Sequence, residues 1–227
     1  MQPHESIKIM EIRTGTAQDA LRVASMHTDS WRAAYSGLMP ASYLDGSLRD
    51  QQADMWKSRL TPATQRDGDT DGGHLLIAEH GIDLLGFAYL IPGPDGRILL
   101  DNLHVNPAHT GGGIGRCLLR HAFTWAATTH PGQPVYLEVL RDNTRAIAFY
   151  TKAGGHATAA RMARFPAGFE LPEIEYTWDA DAISAYAAGH RDDPDAESTG
   201  APSSAVLRPV AVARLGPTGL CSGARSF

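Results

Sequence analysis

The sequence predicts a mixed α/β fold, with a mostly antiparallel central sheet flanked by helices, and three observations carry that prediction. Strand-like and helix-like stretches follow one another in the order β-α-α-β-β-β-α-β-α-β-β. Three consecutive strands, His74 to His80, Leu84 to Ile91 and Arg97 to Val105, are separated only by turns at Gly81 and at Pro92 to Gly96, the pattern of an antiparallel meander. A helical stretch then separates the strand ending at Val105 from the strand Val135 to Leu140. A right-handed crossover makes those two a parallel pair, so the sheet is mixed and helices cover both faces.

The elements follow in order. Ile7 to Arg13 alternates apolar and polar residues as a half-buried strand does, and Thr16 with Asp19 forms the pattern of a capping box. Leu21, Ala24, Trp31, Ala34 and Tyr35 then recur at helical spacing until Gly37 and Pro40 break it. Ala41 to Leu60 reads as a second helix, and Thr61 to Gly73 as a loop. After the meander, Ile114, Leu118, Ala122 and Trp125 mark one face of a helix that Pro131 and Gly132 close. In the strand Val135 to Leu140, Val135, Leu137 and Val139 share one side and Tyr136, Glu138 and Leu140 the other. A short helix over Asn143 to Ala153 stops at Gly154 and Gly155, and strands over His156 to Arg164 and Glu170 to Trp178 complete a domain spanning 1–179. Residues 180–227, rich in Ala, Ser, Gly and Pro, read as a disordered tail, with Val206 to Leu215 a weak docked strand.

Composition narrows the function classes. A chain of 227 residues, 43% apolar, can bury one good core. Its formal charge of −5 gives no general attraction to nucleic acid or to an anionic membrane surface. Two distant cysteines, Cys117 and Cys221, cannot make a disulfide framework, and no stretch of about eighteen apolar residues reads as a span. A cytoplasmic protein is expected. The histidines show no metal-ligand spacing, so no metal is implied.

The informative stretch is Asn106 to Phe123, NPAHTGGGIGRCLLRHAF, with four glycines in five positions at the mouth of a helix. A nucleotide P-loop needs a lysine after its last glycine, and the lysines are Lys8, Lys57 and Lys152. A dinucleotide fingerprint needs glycine at its sixth place, which is Arg116 or Leu118 according to the start chosen. What remains is a set of bare N–H groups at a helix N-terminus, where the unpaired donors and the partial positive charge favour an anion such as a diphosphate. Tight packing of strand on helix is the other use of such a turn.

Val105-x-Pro107 followed by Gly111-x-Gly113-Ile114-Gly115-x-x-Leu118 resembles the acyl-coenzyme-A loop of the GNAT family of N-acetyltransferases. Leu137-Glu138-Val139 and Asn143-x-x-Ala146-x-x-x-Tyr150-x-x-x-Gly154-Gly155 resemble its next strand and helix, and the run Ser30 to Pro40 is similar to a segment of some bacterial members. Thr110 departs from the family, which usually has Gln or Arg there.

The resemblance implies the GNAT fold and an acetyl-CoA-dependent N-acetyltransferase acting on a primary amine of a small molecule or protein. A catalytically inactive acyl-CoA-binding sensor of the same fold is the alternative. It also implies that Leu103, His104 and Val105 pair with the pantetheine arm, and that Gly111, Gly112, Gly113, Ile114, Gly115 and Arg116 hold the diphosphate. Asn143 caps its helix and could bond the cofactor arm. Tyr150 stands at the general acid's position and Glu138 at the base's, with Asp101 and His104 as rivals for the latter. Strict alternation puts Asp101 with Leu103 and His104 with Asn102. The junction around Trp31, Tyr35 and Met39, with the turn Arg164 to Glu170, is expected to wall the acceptor site, although aromatics at helical spacing are more often core than contact. The acceptor's identity and a homodimeric assembly are left open.

Overall fold

The computed structural model describes residues 10–61, 72–165 and 167–189. Seven strands, β1 (Glu11–Thr14), β2 (His74–His80), β3 (Asp83–Pro92), β4 (Ile98–Val105), β5 (Val135–Leu140), β6 (His156–Arg164) and β7 (Glu170–Trp178), form one sheet. Their order is β1-β2-β3-β4-β5-β7-β6. Every neighbouring pair is antiparallel except β4 and β5, which are parallel through the crossover helix α4 (Ile114–Thr129).

Helices α1 (Ala20–Tyr35), α2 (Ala41–Leu44) and α3 (Leu48–Leu60) cover one face, packing Val23, Trp31, Tyr35 and Trp56 against Leu75, Ile77, Phe87, Tyr89 and Leu140. The other face carries α4, α5 (Thr144–Lys152) and α6 (Ala180–Ala187), whose Leu118, Ala122, Tyr150 and Ile183 meet Leu103, Val105, Leu137 and Val139. The alternation read in β5 is therefore a division between two cores. Val135, Leu137 and Val139 join the α4 core, and Leu140 the α1 core.

Three expectations are corrected. The single helix over Ala41 to Leu60 is two, separated by a turn at Asp45 to Ser47. The tail expected from Ala180 begins with α6, which Asp179 caps through a 2.7 Å bond from the Ala182 N–H and which buries Ile183 on α4. Its alanine-rich composition hid a short helix whose apolar side had a partner waiting. Val206 to Leu215 lies outside the described residues. Finally, β4 does not alternate strictly: Tyr89 pairs with Asn102 but Leu90 with Leu100, so Asp101 is an extra, bulged residue. Leu100 and Leu103 both enter the α4 core, while Asp101 bonds Arg59 of α3 on the opposite face. Asp101 thus shares the face of His104 rather than that of Leu103.

The capping box holds. The Thr16 side chain accepts from Gln18 N–H, and Asp19 accepts from Thr16 N–H at 2.8 Å. Asp19 also joins Arg13, Arg22 and Glu79 in a network that pins the start of α1 to β1 and β2.

Candidate active site

The parallel pair β4 and β5 is joined by only two register pairs, Ile98 with Val135 and Leu99 with Tyr136. Beyond Leu99 the strands part, although β4 runs to Val105 and β5 to Leu140. The β4 edge from Leu100 to Val105 therefore presents backbone donors and acceptors toward the gap that no neighbouring strand takes up on that side. An extended amide-bearing chain could pair there as a strand does.

At the open end of the gap, the turn after Val105 passes through a short 3₁₀ segment, Pro107–His109, and reaches α4 at the glycines. Gly111 and Gly113 have φ of 93° and 74°, a region that side chains with a β-carbon rarely enter. Gly113 is the N-cap, with no side chain capping the helix. The first bond closing α4 runs from Cys117 N–H to Gly113 O at 3.0 Å, so the N–H groups of Ile114 and Gly115 have no acceptor within the helix. A β-carbon placed on Gly111 or Gly112 would meet nothing within 4 Å, whereas one on Gly115 would touch Val105 at 3.5 Å and Phe149 at 3.8 Å. Gly111 and Gly112 thus line open space, and Gly115 packs the helix to the strand. These features fit a diphosphate at the turn and a pantetheine arm along β4.

Asn143 and Tyr150 lie close to the gap. The Asn143 side chain caps α5 by accepting from Ala146 N–H at 3.3 Å, and it also faces the Tyr35 hydroxyl of α1. Tyr150 is fully buried among Ala146, Tyr176 and Trp178. Burial raises its phenol well above the ordinary range, and the neighbouring Tyr35 adds to the shift. A side chain from the α5 side thus meets one from the α1 side just beyond the end of β5 at Leu140.

On the α1 face of β5, Glu138 is 6% exposed and bonds Arg161, which reaches across β7 from β6. Arg161 also lies 3.6 Å from Glu173 on β7. The expected base is therefore held by a cation from an edge strand. Asp101 accepts from Arg59 and from the Asn102 side chain, each at 2.6 Å. His104 is fully buried against His27 of α1, their ring centroids 4.5 Å apart. Burial pushes His104 down to about 3, and burial followed by the influence of His104 and Arg59 pushes His27 well below its usual value. Both imidazoles are neutral at neutral pH.

Trp31, Tyr35 and Met39 are buried in the core between α1 and α2, the packing role that aromatics at helical spacing usually have. A cleft of about 260 Å³ opens just beyond them, lined by Pro40, Ser42, Tyr43, Ser47, Ala167, Gly168 and Phe169. It lies between the α1–α2 junction and the β6–β7 turn, the two segments expected to flank the acceptor. Sequence reading missed His27 and Gln52. Their spacing marks them only as inward-facing helix positions, and their neighbours come from other elements.

The model of the Acetyltransferase (GNAT) family matches residues 28–155, more than half of the chain. The chain belongs to the GNAT acetyltransferase family. A probable N-acetyltransferase of Mycobacterium tuberculosis is 29% identical over 173 residues, which cover 74% of this chain and 92% of that protein. The streptothricin acetyltransferase of Streptomyces lavendulae is 38% identical over 38% of this chain and 46% of its own length. Among solved structures, the PaiA N-acetyltransferase of Thermoplasma acidophilum in complex with coenzyme A superposes with a TM-score of 0.58 at 20% identity, covering 75% of this chain and 99% of that one. These likenesses support a GNAT N-acetyltransferase fold and an acyltransferase. The matched segment, 28–155, holds the glycine turn, the β4–β5 gap and Tyr150. Among the described residues, no helix is long and apolar enough to cross a membrane.

Proposed function

We propose that this GNAT protein transfers the acetyl group of acetyl-CoA to a primary amine. The observation that carries the reading is the parting of β4 from β5 beside an uncapped glycine-lined helix start. The N–H groups from Gly111 to Arg116 receive the diphosphate, and the free edge of β4 at Leu103, His104 and Val105 pairs with the pantetheine arm. Thr110 supplies no guanidinium or amide, so backbone donors carry most of that recognition. A backbone N–H near Val105 polarises the thioester carbonyl. Tyr150, kept protonated by its burial, gives its proton to the departing thiolate sulfur. Glu138, already bonded to Arg161, offers its carboxylate to the acceptor's ammonium, which approaches from the side of the cleft that Tyr43 and Phe169 line.

Removal of the Tyr150 hydroxyl tests the reading. Tyr150→Phe is expected to keep acetyl-CoA affinity and lose turnover of a primary amine by about 100-fold, the lower end of what general acid catalysis supplies. A wild type that binds acetyl-CoA but acetylates no amine in a panel of aliphatic amines and short peptides contradicts the transferase reading and leaves the sensor.

A further inference from the structure

Three glutamates share the α1 face of the strands on the far side of the gap: Glu138 on β5, and Glu173 and Glu175 on β7. Glu138 stands directly opposite Glu175, and Glu173 opposite Leu140, one step along the same face. Like charges set opposite one another destabilise a sheet unless cations lie between them. Two arginines supply that charge. Arg97, in the turn before β4, bonds Glu175 at 3.1 Å and lies over the Tyr136 ring. Arg161, opposite Glu173 on β6, brings Nη2 to Oε1 of Glu138 and Nε to 3.6 Å from Oε2 of Glu173. Three carboxylates and two guanidinium groups leave one negative charge on this face.

Well-packed apolar side chains often stabilise a fold as well as buried ion pairs do, so stability alone does not explain the arrangement. Its position does. Glu138 lies two residues beyond Tyr136, on the part of β5 that has separated from β4. Glu138 and Glu173 are 6% and 2% exposed, whereas Arg161 reaches them from an edge strand with its side chain 38% exposed. The remaining groups on this side leave the balance unchanged. Glu175 is taken by Arg97 and by the Thr158 hydroxyl, Asp101 by Arg59, and burial keeps Tyr35 of α1 and His104 of β4 neutral.

An ammonium that reaches Glu138 finds Arg161 on the same carboxylate. Two cations held by one carboxylate stand within about 4–6 Å, the range over which a like charge disfavours the charged form of a titrating group. Glu173, beside Arg161, acts in the opposite sense. We propose that Arg161 and Glu173 set the protonation state of the bound acceptor, Arg161 favouring the neutral amine and Glu173 the ammonium. The inference rests on the transferase reading, in which Glu138 receives the amine. The ammonium gives one proton to solvent, which frees the lone pair that forms the N–C bond. As the C–S bond breaks, a second N–H proton replaces the one Tyr150 has given to sulfur. Without Arg161 the face would carry two negative charges, hold the ammonium more tightly and leave less of it as nucleophile. Both are positioning residues, acting through their charge on an amine that Glu138 holds.

The two charges make opposite predictions. The full-length chain and its variants are assayed by thiol release across pH, with the best acceptor from the amine panel. In Arg161→Gln the bound amine should keep its proton to about one pH unit higher, so that kcat at pH 7 falls about 10-fold, KM falls with it, and the deficit vanishes at high pH. In Glu173→Gln the rise of kcat with pH should come about one unit earlier, with KM increased. Arg161→Lys keeps the charge and should keep the wild-type profile. Acetyl-CoA affinity should be unchanged in all three. A loss in Arg161→Gln that is equal at every pH, or profiles of the two neutral variants that shift in the same direction, overturns the proposal. Should Arg161→Gln fail to fold, by circular dichroism, Glu173→Gln decides, and an unshifted profile there overturns it. A wild type that acetylates no amine brings down the transferase reading and this proposal together, whereas an active wild type with unshifted variants overturns this proposal alone.

Discussion

On one side of the gap between β4 and β5 the surface is made of backbone; on the other it is made of side chains. The donor side consists of the free edge of β4 and the uncapped start of α4, where glycines at φ of 93° and 74° lead into N–H groups with no acceptor within the helix. On the reading proposed above, the acceptor side consists of Glu138 on β5 with Tyr43 and Phe169 beside the cleft, side chains from separate elements. Backbone donors recognise a feature that every acyl-CoA shares, so the donor side can be the same in enzymes with different acceptors. Side chains from distant elements can be changed one at a time. The two sides should therefore respond to substitution in separable ways: donor-side changes should alter acetyl-CoA binding, and acceptor-side changes should alter turnover or amine affinity.

The largest separation is expected for Tyr150→Phe, described above, with turnover lost and donor binding kept. A smaller effect is expected for Glu138→Gln, which should raise KM for the amine about 10-fold while kcat changes less, as removal of a ground-state contact does. Because Arg161 is 38% exposed, water can solvate the guanidinium left behind, and the melting temperature should move little. A fall in kcat with KM unchanged would instead make Glu138 the base expected from its position.

Gly86→Ala examines the seam between the two sides. A β-carbon there would lie 2.7 Å from the His104 carbonyl oxygen and 3.0 Å from Leu118. Overpacking of this kind costs about 2 kcal/mol, and the melting temperature should drop by several degrees. An unchanged melting temperature would mean that β4 can shift away from β3 without penalty.

The smallest expected effects concern pH and stability. The carboxyl of Asp19 would be raised by burial, but bonds from Arg13, Thr16 and Arg22 bring it well below its usual value, and Arg13 likewise lowers Glu79. Folding thus favours the charged carboxylates. Their contribution is complete above the unfolded values near 4 and is lost as pH falls through the depressed folded ones. His27 and His104 act in the same direction over a higher window. Both are lowered by burial, so the unfolded chain binds more protons below about pH 6.5 and stability declines from there toward pH 3. Thermal melts of the wild type should show two stages of acid loss. His104→Leu should remove part of the upper stage and Asp19→Asn part of the lower one.

The same contrast explains what was legible in the sequence. The glycine turn, the Asn143 cap and the capping box at Thr16 depend on residues within a few positions of one another, and local pattern exposed all three. The two faces of β5 were legible because that strand alternates without interruption. The face of Asp101 was not, since a bulge is set by the partner strand's register and leaves no mark on composition. The pairing of Glu138 with Arg161 joins strands separated by β7, and the approach of His27 to His104 joins residues 77 positions apart (104 − 27). Helix α6 escaped notice because alanine carries little periodic signal, and its burial depends on α4.

The central claim is that backbone N–H groups at the start of α4 hold the diphosphate of acetyl-CoA. Gly112 is the position to substitute: its φ is not positive, and a β-carbon there meets nothing within 4 Å, so aspartate adds a charge without strain. Calorimetric titration of acetyl-CoA into the wild type and Gly112→Asp is the most direct test. The account predicts binding by the wild type and at least about 30-fold weaker binding by the variant, equivalent to about 2 kcal/mol, with identical circular dichroism and melting temperature. Equal affinity in the two proteins, or a well-folded wild type that binds no acetyl-CoA, would contradict it.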